Sequence, residues 1–239
     1  MKKNQNKFDL IAFDADDTLW ENNVLYLQAR EKYKQILAGY QITVSIEDFL
    51  EATENRNVKY YGYGVMSFVL SMVETAIEMT DGRIAATDIQ TIITIAREMI
   101  TAEIHLYEDA EPTLRRLSTS YPLILITKGD LNHQQAKIVQ SGLEHYFNGT
   151  HIVADKTPQT YAEILEKYSV SPSRFLMVGN SIRSDIYPVL KLGGWGGYVP
   201  NDFTWVHEMS ELPEGERGRF FELARLGMLP DYLESLAKP

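Results

Sequence analysis

The stretch Phe8-Asp9-Leu10-Ile11-Ala12-Phe13-Asp14-Ala15-Asp16-Asp17-Thr18-Leu19-Trp20 decides how this chain is read. A short apolar run, Phe8 to Phe13, closes on Asp14. Leu, Ile and Phe crowded before an acidic turn predict a buried central strand that delivers a polar group at its carboxyl end. Two acids one residue apart at such an end can share a site and divide its work. One attacks phosphorus while the other handles the proton of the leaving group, and a carboxylate nucleophile splits a hard hydrolysis into two steps through an acyl phosphate. The alternative is an acidic turn that caps a helix, a job that Asp17 and Thr18 would do well.

Two more apolar runs end in the same way. Leu123-Ile124-Leu125-Ile126 leads to Thr127-Lys128-Gly129, and Phe175-Leu176-Met177-Val178 leads to Gly179-Asn180-Ser181. His151-Ile152-Val153 and Gly197-Tyr198-Val199 are weaker strand candidates. Between them, helices are expected over Asp130–Gln140, Pro158–Tyr168 and Ser184–Leu192. Strands alternating with helices of that length predict an α/β fold, a Rossmann-like three-layer core around a parallel sheet. In open sheets of this kind ligands sit beyond the carboxyl ends of the strands, where the acids, Thr127 and the Gly-Asn turn all fall.

The interval after Trp20 has a different period. Helices are expected over Asn23–Gly39, Ser45–Asn55, Val65–Met79 and Asp88–Ile100. The second starts on a Ser-Ile-Glu-Asp capping box with Asp48 in the usual Glu or Gln position. In the last, Ile89, Ile92, Ile93, Ala96, Met99 and Ile100 recur at helical spacing. The division expected is a core of residues 1–19 and 105–239 with an inserted α-helical cap subdomain over 20–104. The tail after Asn201 yields no clear element; Glu214 to Gly218 reads as an exposed loop.

Composition narrows the function classes. The 239 residues are 44% hydrophobic and 23% charged, ordinary for a globular protein with a sizeable core. A formal net charge of -10 repels a phosphate backbone, so nucleic acid is not an expected partner. A small anionic ester remains compatible, because local cations and a metal can reverse the field within a cleft. The absence of cysteine excludes disulfides, thiolate metal sites and a cysteine nucleophile. No stretch nears the roughly 20 apolar residues of a membrane span, and the amino terminus lacks a signal-peptide apolar region. A cytoplasmic monomer or homodimer is the expectation.

Thr127 offers a hydroxyl to a phosphoryl oxygen, and Gly129 lets backbone amides approach an anion. Lys128 adds a cation that serves either phosphate or plain surface. Lys156 precedes the helix at Pro158, a place where anions bind and where a fixed cation would neutralise both nucleophile and phosphoryl group. Asp185, at a helix start, suits either a metal or the helix amino terminus. Magnesium takes few carboxylates and several waters, which Asp14 and Asp185 would satisfy. In the insertion, Tyr61 and Tyr63 are candidate substrate-specificity residues, although packing at the turn between two helices is the preferred account of that tyrosine cluster.

Taken as an ordered set, these residues resemble the haloacid dehalogenase superfamily, in particular its phosphatase branch with a helical cap after the first motif. Asp14, Asp16 and Thr18 match the Asp-x-Asp-x-Thr motif; Thr127, Lys156 and the segment ending at Asp185 match the later motifs. The resemblance implies Asp14 as nucleophile and Asp16 as general acid, then base, with Thr127 and Lys156 holding the phosphoryl group. It also implies Mg2+ bound by Asp14, the carbonyl of Asp16 and Asp185. The family's last motif commonly reads Gly-Asp; here Gly179-Asn180 offers the metal a carbonyl oxygen without charge. A 2-haloacid dehalogenase and a sugar-phosphate mutase of the same fold are alternatives, as are a phosphonate-cleaving enzyme using Lys32, Lys34 or Lys59 and a non-catalytic binding homologue. The second acid, Asp16, argues for phosphoryl transfer.

Overall fold

The structure is a computed structural model that describes residues 6–201 and 216–236. Glu214 and Gly215 of the expected tail loop lie outside the described residues. The chain divides into two compact units: Met1–Asn23, Ile104–Lys128 and Gln134–Pro239 form one, and Val24–Glu103 with Gly129–His133 form the other.

In the first unit six strands, β1 (Leu10–Phe13), β2 (Leu123–Lys128), β3 (Gly149–Val153), β4 (Phe175–Gly179), β5 (Trp195–Tyr198) and β6 (Phe220–Glu222), form one sheet in the order β3-β2-β1-β4-β5-β6. Every pairing is parallel. The order reverses beside β1, since β2 and β3 lie on one side of it and β4 to β6 on the other. That is the crevice where such sheets bind ligands.

The central strands are apolar throughout because both faces are buried. Ile11, Phe13, Leu123, Leu125, Leu176 and Val178 point into one core, with Leu114 and Leu117 of helix α5 (Ala110–Ser118) and Leu229 and Leu233 of α9 (Leu229–Leu236). Leu10, Ala12, Ile124, Ile126, Phe175 and Met177 point into the other. There they meet Tyr161, Ile164 and Leu165 of α7 (Pro158–Tyr168) and Val189 of α8 (Tyr187–Lys191). Alternation with period two therefore feeds two cores from one continuous apolar run. Helix α6 (Leu131–Ser141) follows β2, and a π-helical turn, Ile182–Ile186, precedes α8.

The expected strands are present, each within two residues of its predicted position. Among the described residues three α-helices or strands, α5, β6 and α9, lie outside the expectation. Pro112 disguises α5, although proline in a first turn loses no helical bond. The other two, β6 and α9, are short segments of the tail.

The second unit contains α1 (Asn23–Leu37), α2 (Ile46–Tyr61), α3 (Val65–Met79) and α4 (Ala86–Ile100) around a core of their own. Tyr33, Leu37, Leu50, Phe68, Met72, Ile92 and Met99 meet there. The expected N-cap forms: the Ser45 hydroxyl accepts from the Asp48 N–H at 3.2 Å, one half of the expected capping box. Expectation fails at Tyr60 and Tyr61. Tyr60 and Tyr61 belong to the last turn of α2 and are 77% and 57% exposed, so Tyr61 is not a packing residue, while Tyr63 is half-buried. The helix runs on past Asn55 until Gly62, at φ 70°, closes it with an N–H bond to the Val58 carbonyl. Among the described residues no helix is long and apolar enough to cross a membrane.

Ile11 is fully buried in the central strand. Truncation to Ala should lower stability by about 2–5 kcal/mol, read as a fall in the urea midpoint at constant m-value.

Candidate active site

Asp14 leaves β1 with its N–H on the Val178 carbonyl at 2.9 Å, which holds the end of β1 against β4. Its carboxylate is buried and bound at both oxygens: Oδ1 accepts from Lys156 Nζ and Oδ2 from the Thr18 hydroxyl at 3.2 Å. Lys156 also donates to Asp185 Oδ1 at 2.6 Å, so one ammonium bridges two buried carboxylates. Burial pushes the Asp14 carboxyl up to about 7; Lys156 pulls it back, while the charges of Asp185 and Asp16 add to the rise. For Lys156, burial alone would favour the neutral amine, but Asp14 and Asp185 outweigh it and hold the ammonium above the usual lysine range.

The π-helical turn supplies the second carboxylate. The N–H groups of Asp185 and Ile186 both reach the Ser181 carbonyl, at 2.9 and 3.2 Å, and the widened turn directs Asp185 inward. Asp185 Oδ2 accepts from the Ser181 N–H at 3.0 Å. Gly179 makes room for this arrangement, since a Cβ there would coincide with the Asp185 carboxylate. Ser184 lies on the same turn and its hydroxyl accepts from Lys128 Nζ at 2.9 Å, which places Lys128 beside the site rather than among the plain surface charges.

Asp17 and Thr18 divide the two roles between which the sequence left a choice. Asp17, in left-handed conformation at φ 59°, accepts from the N–H groups of Asn22 and Asn23 and so caps α1. Burial pushes its carboxyl up to about 6 against those two bonds. Thr18 turns the other way, onto Asp14.

Asp16 faces α6. Lys137 Nζ lies 2.6 and 2.7 Å from its two oxygens, Trp20 Nε1 donates to Oδ1 at 2.7 Å, and Gln134 Nε2 donates to Oδ2 at 3.1 Å. Burial alone would raise its pKa, but the Lys137 charge and these hydrogen bonds hold it below the usual carboxylate range. Gln134 also donates to Thr127 Oγ1 at 2.7 Å. Lys137 and Gln134 are buried functional candidates that sequence reasoning missed. They lie three apart on α6 and so share a face, but nothing in Gln134-Gln135-Ala136-Lys137 distinguishes an inward lysine from an outward one.

A magnesium ion fits the oxygens present. The outer atom of the Asn180 amide lies 3.2 Å from Asp14 Oδ2 and from Thr18 Oγ1, and 3.3 Å from the Asp16 carbonyl oxygen. Turned nitrogen-inward, the amide has two hydrogens to share among these three acceptors. Turned oxygen-inward, it completes a group of oxygens whose spacing approaches the roughly 2.9 Å between neighbouring ligands of an octahedral ion with bonds near 2.0–2.1 Å. Among the described residues no three Asp, Glu or His side chains cluster as a metal site. The donor set is therefore mixed, with one direct carboxylate, a carbonyl and an amide, and the charge of Asp185 behind Lys156.

Comparison with known proteins points in one direction. The family described as haloacid dehalogenase-like hydrolase matches residues 8–189. A haloacid dehalogenase-like family hydrolase from Xanthomonas campestris is 37% identical, covers 99% of this chain and 95% of its own, and superposes with a TM-score of 0.87. Two more distant structures share the fold. The HAD-hydrolase YfnB from Bacillus subtilis, described as bound to magnesium, is 16% identical over 95% of this chain and 99% of its own, with a TM-score of 0.68. The L-2-haloacid dehalogenase from Xanthobacter autotrophicus, with chloropropionic acid covalently bound, is 18% identical over 96% and 99%, with a TM-score of 0.63. No curated protein is significantly similar in sequence.

Gly179→Ala should displace Asp185 and cost about 1–3 kcal/mol of stability in urea unfolding, because the added methyl has no space. The Asp14 carboxyl lies above its ordinary value of 3.8. Its contribution to stability is therefore complete below that value and lost as pH rises through about 7. In chelator, wild-type stability should fall relative to Asp14→Asn between about pH 4 and pH 7 and level off above that; parallel curves would contradict this assignment.

Proposed function

The chain belongs to the haloacid dehalogenase-like hydrolases, and within them we propose a magnesium-dependent phosphatase that hydrolyses a small-molecule phosphate monoester through an aspartyl-phosphate on Asp14. The observation that carries this reading is the pairing of two carboxylates with two separate cations at one sheet edge. Lys156 holds Asp14 and Lys137 holds Asp16. Displacement of halide from carbon needs a nucleophile but no second acid. Transfer of a phosphoryl group to water needs a proton given and a proton taken, and a second carboxylate does both.

In the first half-reaction an oxygen of Asp14 attacks phosphorus and the ester oxygen departs, receiving its proton from Asp16 in the protonated form. In the second, Asp16 as carboxylate takes a proton from water, whose oxygen attacks the same phosphorus; phosphate leaves and Asp14 is restored. Thr127 and Lys156 hold the phosphoryl oxygens, with Lys128 adjoining. Magnesium held by Asp14, the Asp16 carbonyl and Asn180, with Asp185 supporting, would offset charge on the phosphoryl group. The ion described for the Bacillus subtilis relative makes magnesium the first metal to test. Asp16 as it stands is ionised, which suits the second half-reaction; the first requires it to gain a proton.

With p-nitrophenyl phosphate and magnesium, turnover is expected to vanish in chelator and to fall at least about 10³-fold in Asp14→Asn. Activity surviving either treatment would overturn the reading. Chelator-resistant halide release from 2-chloropropionate would assign the chain to the dehalogenases instead.

A further inference from the structure

Beyond the groups that touch the ester, we propose that Gln134 is a positioning residue that fixes the direction in which Thr127 donates its hydrogen, aiming it at a phosphoryl oxygen. The proposal rests on the phosphatase reading for the identity of that oxygen, but its own basis is a sequence of forced hydrogen-bond assignments.

Lys137 Nζ has only hydrogens to offer. With its ammonium 2.6 and 2.7 Å from the two oxygens of Asp16 and 3.0 Å from Asn22 Oδ1, its three hydrogens are all committed. Asp16 is thereby an acceptor at both oxygens. The Gln134 side-chain atom 3.1 Å from Asp16 Oδ2 must then be the amide nitrogen, because an amide oxygen there would face a carboxylate oxygen. That same nitrogen lies 2.7 Å from Thr127 Oγ1. Its two hydrogens serve the two oxygens, and the Thr127 oxygen accepts.

A threonine hydroxyl has one hydrogen. Since Gln134 donates to it, that hydrogen must point elsewhere, and Thr127 and Gln134 are 1% and 3% exposed. Among the described residues no acceptor meets the Thr127 hydrogen. A buried donor without an acceptor is costly in the folded protein. It is, however, the arrangement required of a group that stabilises incoming negative charge without reorganising when that charge arrives. Gln134 thus converts a hydroxyl that could either give or take into a preset donor at the carboxyl end of β2.

The test is a double-mutant cycle with Gln134→Met, which keeps volume and removes both donors, and Thr127→Val, which removes the hydroxyl. Each protein is assayed for magnesium-dependent turnover of p-nitrophenyl phosphate and for inorganic phosphate affinity by calorimetry. Gln134→Met should lower kcat by about 10–100-fold, the range for residues that orient direct ligands, with the melting temperature nearly unchanged. In the Thr127→Val background the same substitution should lower kcat less than about 3-fold. Equal losses in the two backgrounds would overturn the proposal, because a merely structural Gln134 would act regardless of Thr127. If no phosphate ester is turned over, the phosphatase reading fails on its own, and the cycle in phosphate affinity still decides the role of Gln134.

Discussion

One buried ammonium makes this site possible. Asp14 and Asp185 arrive from different parts of the sheet edge, both almost fully enclosed, and two anions so placed would repel and protonate. Lys156 lies between them and donates to each. Losing that cation would leave two uncompensated charges in the interior, which is far more costly than the net value of the ion pair itself. The geometry of β1, the π-helical turn and the loop before α7 is thus tied together at a single nitrogen. Gly179 belongs to the same constraint, because the backbone there must come within contact distance of the Asp185 carboxylate.

A second cation does the corresponding work for Asp16. Lys137 reaches across from α6 with all its hydrogens used, and Trp20 and Gln134 complete the shell. The two acids of Asp14-Ala15-Asp16 are chemically alike and two residues apart, yet they lie in opposite electrostatic conditions. One is pushed up to about 7 by burial, and the other is held low by its lysine and hydrogen bonds. The separation favours a proton on Asp14 and the ionised form of Asp16.

The metal question turns on Asn180 for a related reason. An amide can offer either a nitrogen or an oxygen to Asp14 and the Asp16 carbonyl, and the spacing of 3.2 and 3.3 Å admits both. A carboxylate at that position would bring a third charge close to Asp14 and Asp185, both already served by one ammonium. The uncharged amide keeps the donor set compatible with a single lysine.

Much of this was legible in order along the chain. The runs ending at Asp14, Thr127 and Gly179 read as buried strands because both faces of a parallel sheet exclude water, so no polar residue interrupts them. Asp14, Asp16, Thr127, Lys156 and Asp185 are all recognisable as candidates because each follows a strand end or opens a helix, a positional signal that needs no contact information. Lys137 and Gln134 carry no such signal: they sit inside a polar helix, and only the packing of α6 turns them inward. The same is true of Asp17 and Thr18, whose sequence permits either to cap a helix; the left-handed backbone at Asp17 assigns that task and frees Thr18 for Asp14. Tyr61 shows the converse, since an aromatic cluster predicts packing and the end of α2 instead leaves the ring in solvent. Local pattern thus determined the strands, the helices and the residues at their ends. Which buried cation faces which acid, and which hydrogen points into the site, depends on contacts such as Lys156 to Asp14 and Lys137 to Asp16, between segments more than a hundred residues apart, and only the tertiary structure decides those.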